Sequence, residues 1–312
     1  MSTDPLLAEL LRQAGLPPAA SLSPIRGRGF ENEIHRVTLS DGQDVLLRRY
    51  PAQREPEQRR AAFLKEHGAP APMLLASTPD GALYEFVQGS LLGDLIESGR
   101  ATDTTWRLVG EAFRRIHQVE FPSGLYGEIR PDQVVLQLND PVVQMHRWID
   151  EALPGFHKRL PAMIEHMPAL HELVDSAGNA LRAAPSALGH GDINMWNVIV
   201  SDDRATLIDW DSPIVCDPSM EIALLDKHAW LFDDGGIGPG FFEGYGKPAT
   251  EPNTSLYRIV HTVNWAGSSD WEEFERSGLP PEQVERTRQW LGVLLAYAEN
   301  ITTHIERLRR LV

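Results

Sequence analysis

The chain has 312 residues, 42% hydrophobic and 23% charged, the composition of an ordinary globular protein with a sizeable core in one large domain or two lobes. Its single cysteine, Cys216, excludes an internal disulfide framework and any multi-thiolate metal site. The longest apolar run, Leu291 to Ala298, is too short to cross a bilayer, and the opening residues lack the parts of a signal peptide, so a cytoplasmic protein without membrane contact is expected.

The formal charge of −15 is uneven: residues 1–90 hold 10 basic and 11 acidic side chains, residues 91–312 hold 19 and 33. An excess of acid on the second part argues against nucleic acid as a partner and permits a cationic ligand, although acids that only keep a surface solvated would give the same balance. Only four basic residues are lysines: Lys65, Lys158, Lys227 and Lys247.

The apolar spacing of Leu6, Leu7, Leu10 and Leu11 predicts a short helix over 4–14, stopped by Gly15-Leu-Pro-Pro18. Ile34 to Leu39 and Val45 to Tyr50, joined by the Asp41-Gly42 turn, predict an antiparallel hairpin. A helix over 54–67 follows, then two short strands, Met73 to Ala76 and Leu83 to Val87, around the turn Pro79-Asp-Gly81. Beyond Gln88-Gly89 the pattern is mostly helical, with segments near 104–119, 141–160, 168–183, 219–232, 254–265 and 281–310. The last carries Trp290, Leu291, Leu294, Tyr297, Ile301, Ile305 and Leu308 on one stripe, read as core packing. Short strands at Ala187-Leu188, Val198 to Val200 and Ala205 to Ile208 interrupt the helices. No internal repeat is present.

Polar residues cluster between and after those strands, in His190-Gly-Asp192-Ile-Asn-Met-Trp-Asn197-Val-Ile-Val200 and Leu207-Ile-Asp209-Trp-Asp211. Asp192 and Asn197 share a loop, and Asp209 ends the next strand, so a hairpin would gather all three. A carboxylate and an amide carbonyl suit a hard, oxygen-seeking ion such as Mg²⁺, leaving Asp192 to meet a substrate hydroxyl. Phosphoryl transfer divides its labour in that way. Read without function, the three residues would form Asx-turns.

H-G-D-x-x-x-x-N followed by I-D-W-D resembles the aminoglycoside phosphotransferase and choline kinase family, whose fold is similar to that of protein kinases. Further matches run in order over roughly 25–225. Arg26-Gly27-Arg-Gly29-Phe-Glu-Asn32 resembles the family's nucleotide loop, and Val45-Leu-Leu-Arg48 its third strand. Glu57 resembles its helix glutamate, Leu83 to Gly89 its interlobe hinge, and Asp217-Pro218-x-x-Glu221 its D-P-x-x-D segment. The resemblance implies an α+β, two-lobed protein-kinase-like fold: a small antiparallel-sheet lobe over 1–89, with a hinge near 85–89, and a larger, mainly helical lobe over 90–312.

It also implies an ATP-dependent phosphotransferase. Asp192 would be the catalytic base or hydroxyl orienter, and Asn197 and Asp209 the Mg²⁺ ligands. Arg48, held by Glu57, would touch the nucleotide phosphates where relatives often have lysine, with Gly27, Gly29 and Asn32 covering them. Strand alternation favours Arg48 over Arg49. Backbone groups of Glu85 and Val87 would bind adenine. His190 would support the loop, and His117 reads as a packed structural residue. By spacing alone Glu57 fits an exposed helical acid equally well, Asp211 reads as a turn residue or a support for the metal ligands, and Glu221 would cap the helix that follows it.

The expected acceptor is a hydroxyl on a small, amine-bearing molecule: an aminoglycoside-like antibiotic, an amino sugar or a choline-like amine. Asp233, Asp234, Glu243 and the stretch Asp270 to Glu275, near Trp265 and Trp271, would favour its charge. Two other readings stand beside this one: a catalytically weak nucleotide-binding module of the same fold, and a metal hydrolase using His190 and Asp192, which lacks a further nearby His or Cys.

Overall fold

Helix α1 (Pro5–Ala14) begins where the sequence supplies a cap, since Asp4 accepts a bond from the Leu7 amide at 3.3 Å, and it ends at Gly15 in the left-handed conformation. The computed structural model describes residues 4–25, 33–130, 132–232, 236–268, 271 and 281–312. Strands β1 (Ala19–Pro24), β2 (Glu33–Leu39) and β3 (Asp44–Arg49) follow, then helix α2 (Gln58–Glu66) and strands β4 (Leu74–Thr78) and β5 (Gly81–Glu85). They form an antiparallel sheet in the order β1-β2-β3-β5-β4. Leu7, Leu10 and Leu11 of α1 bury against Val37, Leu39, Val45, Leu47 and Leu83 of this sheet. Alternation along β3 decides the fate of its two arginines. Arg49 shares the face of Val45 and Leu47 and pairs with Asp4 below the sheet, whereas Arg48 is buried on the opposite face.

The chain then passes through Gly89, where a Cβ would strike the Val200 carbonyl, into β6 (Ser90–Leu91). Helices α3 (Leu92–Glu97) and α4 (Asp103–His117) lead to β7 (Glu120–Phe121), β8 (Leu125–Ile129) and β9 (Val134–Leu138). Next come α5 (Pro141–Arg159), a 3-10 turn, α6 (Met167–Ser176), α7 (Gly178–Arg182) and β10 (Ser186–Gly189). A second 3-10 turn, Met195–Asn197, opens β11 (Val198–Val200), followed by β12 (Ala205–Leu207) and β13 (Ile214–Cys216). Helices α8 (Pro218–Phe232), α9 (Gly240–Tyr245), α10 (Asn253–Gly267), α11 (Pro281–Glu299) and α12 (Ile301–Leu308) complete the chain.

Two expected helices are each divided. The segment 168–183 breaks at Ala177-Gly178 into α6 and α7. The segment 281–310 breaks at Asn300, whose side-chain amide bonds the Ala296 carbonyl at 2.9 Å and competes with the helical backbone. Strands β1, β6, β7, β8, β9 and β13 and helices α3 and α9 have no counterpart among the expected elements. Strands β7, β8, β9 and β13 join β10 in a second sheet of order β7-β10-β13-β8-β9, in which β8 and β9 form a hairpin and the other pairings link residues far apart in sequence that local pattern does not signal.

Two apolar cores organise the helical part. One gathers α5, α6, α10, α11 and α12 around Phe156, Leu256 and Ile301. The other packs α4, α8 and α9 against Leu188, Ile193, Met195, Val198, Leu207 and Trp210. That second core is the bed on which the polar loop rests.

Candidate active site

Strands β11 and β12 pair Val198 with Leu207, and the Ile208 amide bonds the Asn197 carbonyl at 2.9 Å. The hairpin thereby sets Asn197 beside the stretch that leads into Asp209, as the spacing predicts. The Asn197 side-chain amide donates to the Asp192 carbonyl oxygen at 2.8 Å and lies 3.4 Å from the Asp192 carboxylate. Burial pushes the Asp192 carboxyl up, and the nearby Asp209 charge adds to this against the opposing pull of His190 and Asn197.

Beneath the loop, His190 is fully buried, donates from Nε2 to the Ile208 carbonyl at 2.8 Å and packs 4.6 Å from the Trp210 ring. Gly191 has φ 83°, and a Cβ there would collide with the Ser212 carbonyl. Its amide donates to Glu221 Oε1 at 2.9 Å. The other oxygen of this buried carboxylate faces His117 Nε2 at 3.2 Å, and His117 Nδ1 meets the Tyr245 hydroxyl at 2.9 Å. Glu221 therefore props the loop instead of capping α8. The cap is Asp217, which accepts from the Ser219 amide at 2.8 Å.

Asp209 has φ 65°, a left-handed conformation found at no other non-glycine residue among those described. Such a backbone costs roughly 1–3 kcal/mol and persists where the surroundings impose it, commonly at functional sites. Its carboxylate remains 43% exposed, with Oδ1 2.9 Å from Arg48 Nη2. Arg48 grips Asp211 with both arms, at 2.9 and 2.6 Å. Burial alone would weaken the guanidinium charge, but the two carboxylates more than offset it. Arg54 adds a bond to Asp211 at 2.7 Å, and Arg60 reaches its backbone carbonyl at 2.9 Å. Against burial, Arg48 and Arg54 hold the Asp211 carboxyl below the usual range. Sequence reading missed this node of three arginines on Asp211. No spacing in the sequence links residues 48, 54 and 60 to position 211.

The expected pairing of Arg48 with Glu57 is corrected. Glu57 stands at the N-terminal boundary of α2, receives hydrogen bonds from the Tyr50 and Tyr84 hydroxyls, and pairs with Arg60 at 3.2 Å. Arg60 is one helical turn away, whereas Asp211 offers Arg48 a two-oxygen target that matches its planar fork. The Glu85 amide bonds the Met73 carbonyl at 2.9 Å at the end of β5, and half-buried Val87 follows in the link to β6. Gly27, Gly29 and Asn32 lie outside the described residues.

Among the described residues no group of three His, Cys, Asp or Glu side chains is arranged to hold a metal ion. A cation here would rest on the Asp209 carboxylate and the Asn197 carbonyl oxygen, an all-oxygen pair suited to Mg²⁺. The fit is supported by Asn197, whose nitrogen is engaged by Asp192 while its oxygen is left to accept. Arg48 would share Asp209 with such an ion.

The small antiparallel sheet followed by a larger helical part, with the polar loop between them, is a two-lobed protein-kinase-like fold. A choline/ethanolamine kinase family protein from Mesorhizobium loti superposes with a TM-score of 0.61 and 20% identity, over 99% of this chain and 100% of that one. An ethanolamine kinase from Plasmodium vivax gives 0.57 and 14%, over 88% and 82%. An ADP-bound aminoglycoside phosphotransferase gives 0.57 and 15%, over 94% and 97%. No curated protein matches the chain. Residues 21–257 match the profile of the phosphotransferase enzyme family, and the chain belongs to that family as a small-molecule phosphotransferase.

Proposed function

We propose that the protein transfers the terminal phosphoryl group of ATP to a hydroxyl of a small molecule. The reading rests on one observation above others: Asn197 ties down the Asp192 loop while the adjoining hairpin carries Asp209 in an imposed left-handed backbone. Asp192, with its carboxyl raised above the ordinary value, orients the acceptor hydroxyl and takes its proton. Asn197 and Asp209 hold Mg²⁺, which when bound offsets charge on the transferred group. Arg48, stretched between Asp209 and Asp211, presents its charge to the nucleotide phosphates. Gly27, Gly29 and Asn32 cover those phosphates, Glu85 and Val87 meet adenine, and Glu57 secures Tyr50, Tyr84 and Arg60 behind them. Residues 1–89 act as the nucleotide lobe, 85–89 as hinge and 90–312 as the acceptor lobe, in a cytoplasmic protein.

An amine-bearing acceptor, whether aminoglycoside, amino sugar or choline-like, is supported by the acidic balance of the second lobe and by what the similar kinases are named for. Of the acids that suggested it, Glu243 is exposed, and Asp233, Asp234, Asp270, Glu272, Glu273 and Glu275 lie outside the described residues. Incubation with Mg-ATP and a panel of such alcohols, following ADP release, tests the reading. Acceptor-stimulated ADP formation that falls about 10²- to 10⁴-fold in Asp192→Asn, with ATP still bound, supports it. Full activity in Asp192→Asn overturns it, and ATP binding without turnover across the panel favours a regulatory module.

A further inference from the structure

Lys227 is 2% exposed, yet no carboxylate pairs with it among the described residues. Its ammonium sits 4.0 Å over the Trp265 ring, and the His228 ring meets the same indole edge-on at 5.2 Å. One turn earlier on α10, His261 packs against Trp148 at 4.6 Å and stacks on Tyr257 at 6.2 Å, and its Nε2 is buried without a hydrogen-bond partner. Burial, with the Lys227 charge added, pushes both histidines down, so their rings are neutral at pH 7. An aromatic-walled cluster of three nitrogen groups, with no acid among the described residues, is a poor way to fill a core. A buried ammonium over one ring recovers only part of its lost hydration, and methionine would pack there without that loss. An anionic oxygen group would satisfy the ammonium and the orphaned ring nitrogen together.

Helix α8 is the element that the cluster shares with the polar loop. Its Ile222, Leu225 and Ala229 pack in the core of Ile193 and Met195 and it contacts the turn Met195–Asn197, while Lys227, on another face, meets Trp265 of α10. We propose that Lys227, with the ring nitrogens of His228 and His261, is the anion-recognition subsite of the acceptor pocket. The phosphorylated alcohol therefore carries an anionic oxygen group, as a hydroxy acid or a hydroxyalkyl phosphate does. The inference rests on the kinase reading above and narrows it, since an amine-bearing acceptor would carry an acid group as well.

The experiment follows ADP release from Mg-ATP with three kinds of alcohol. Glycerate, serine and 4-hydroxybutyrate form the carboxylate arm, each paired with its primary amide. Glycerol 3-phosphate, paired with glycerol, forms the phosphate arm, and ethanolamine, choline and an aminoglycoside form the amine arm. Expected is a preference of about tenfold or more in kcat/KM for at least one anion over its neutral partner. Lys227→Met should then abolish that preference, chiefly through KM for the acceptor, and leave KM for ATP unchanged. The preferred anion should also raise the Tm of the wild type and not of the variant. Lys227→Gln serves if the methionine variant fails to fold. Turnover of amines alone, or anions no better than their neutral partners, overturns the subsite. If amines turn over in an Asp192-dependent way, the kinase reading survives this loss. If no alcohol stimulates ADP release and Asp192→Asn changes nothing, the kinase reading itself falls.

Discussion

The Arg48 guanidinium and the Asp211 carboxylate form a two-armed bond, at 2.9 and 2.6 Å, between positions 163 residues apart. It joins the sheet to the segment bearing Asp209, and Arg54 and Arg60 converge on the same residue. Asp211→Asn removes the charge that all three arginines share and leaves Arg48, 8% exposed, with Asp209 as its described acidic partner. Breaking a buried pair from one side costs several kcal/mol. The 29% exposure of Asp211 lowers the expectation to about 2 kcal/mol in urea unfolding. KM for ATP should rise in parallel, because Arg48 is no longer held in place. Unchanged stability would remove Asp211 from its place as the node.

Glu57→Gln tests the reassigned glutamate. The substitution keeps one acceptor for Tyr50 or Tyr84 and loses the charge opposite Arg60, so a stability loss of about 1–3 kcal/mol is expected. Arg48 keeps its grip on Asp211, and KM for ATP should stay within about twofold of wild type, an uncoupling that kinetics reads directly. A rise in KM matching that of Asp211→Asn would restore Glu57 as the partner of Arg48.

Lys227 gives a pH signature. Burial lowers it from 10.5 to about 7, so between those values the unfolded chain holds a proton that the folded chain has released, and the stability of the wild type rises with pH across that window. Below about pH 7 the folded protein carries the full burden of a buried charge. The titratable groups facing it, His228 on α8 and His261 on α10, are both pushed down, His261 to about 3. Lys227→Met should therefore raise Tm most at pH 6 to 7, with the gain fading towards pH 10. Thermal unfolding of both proteins over that range is the measurement, and a gain independent of pH would mean that the ammonium is not desolvated.

What was legible in the sequence was local. Hydrophobic period and turn residues marked α1, the β2–β3 hairpin, α2, α4, α5, α8 and α10, because each is stabilised by contacts its own spacing encodes. The phosphotransferase motif was equally visible, since Asp192, Asn197 and Asp209 sit on one loop and the hairpin that follows it. Alternation along β3 also set Arg48 and Arg49 on opposite faces; that Arg49 is the one on the side of Asp4 and α1 is a matter of tertiary packing.

Long-range partnership was decided only by the tertiary structure. The pairing of β10 with β7 and β13, the grip of Arg48 on Asp211, the two tyrosines on Glu57 and the prop of Glu221 under Gly191 all join residues that no period links. The four-lysine composition announced a scarcity and nothing of where one would be buried. Packing of α8 against α10 put Lys227 over Trp265, and that placement turned a residue count into a candidate recognition site. A buried charge takes its meaning from whatever surrounds it, and the surroundings are assembled from distant parts of the chain.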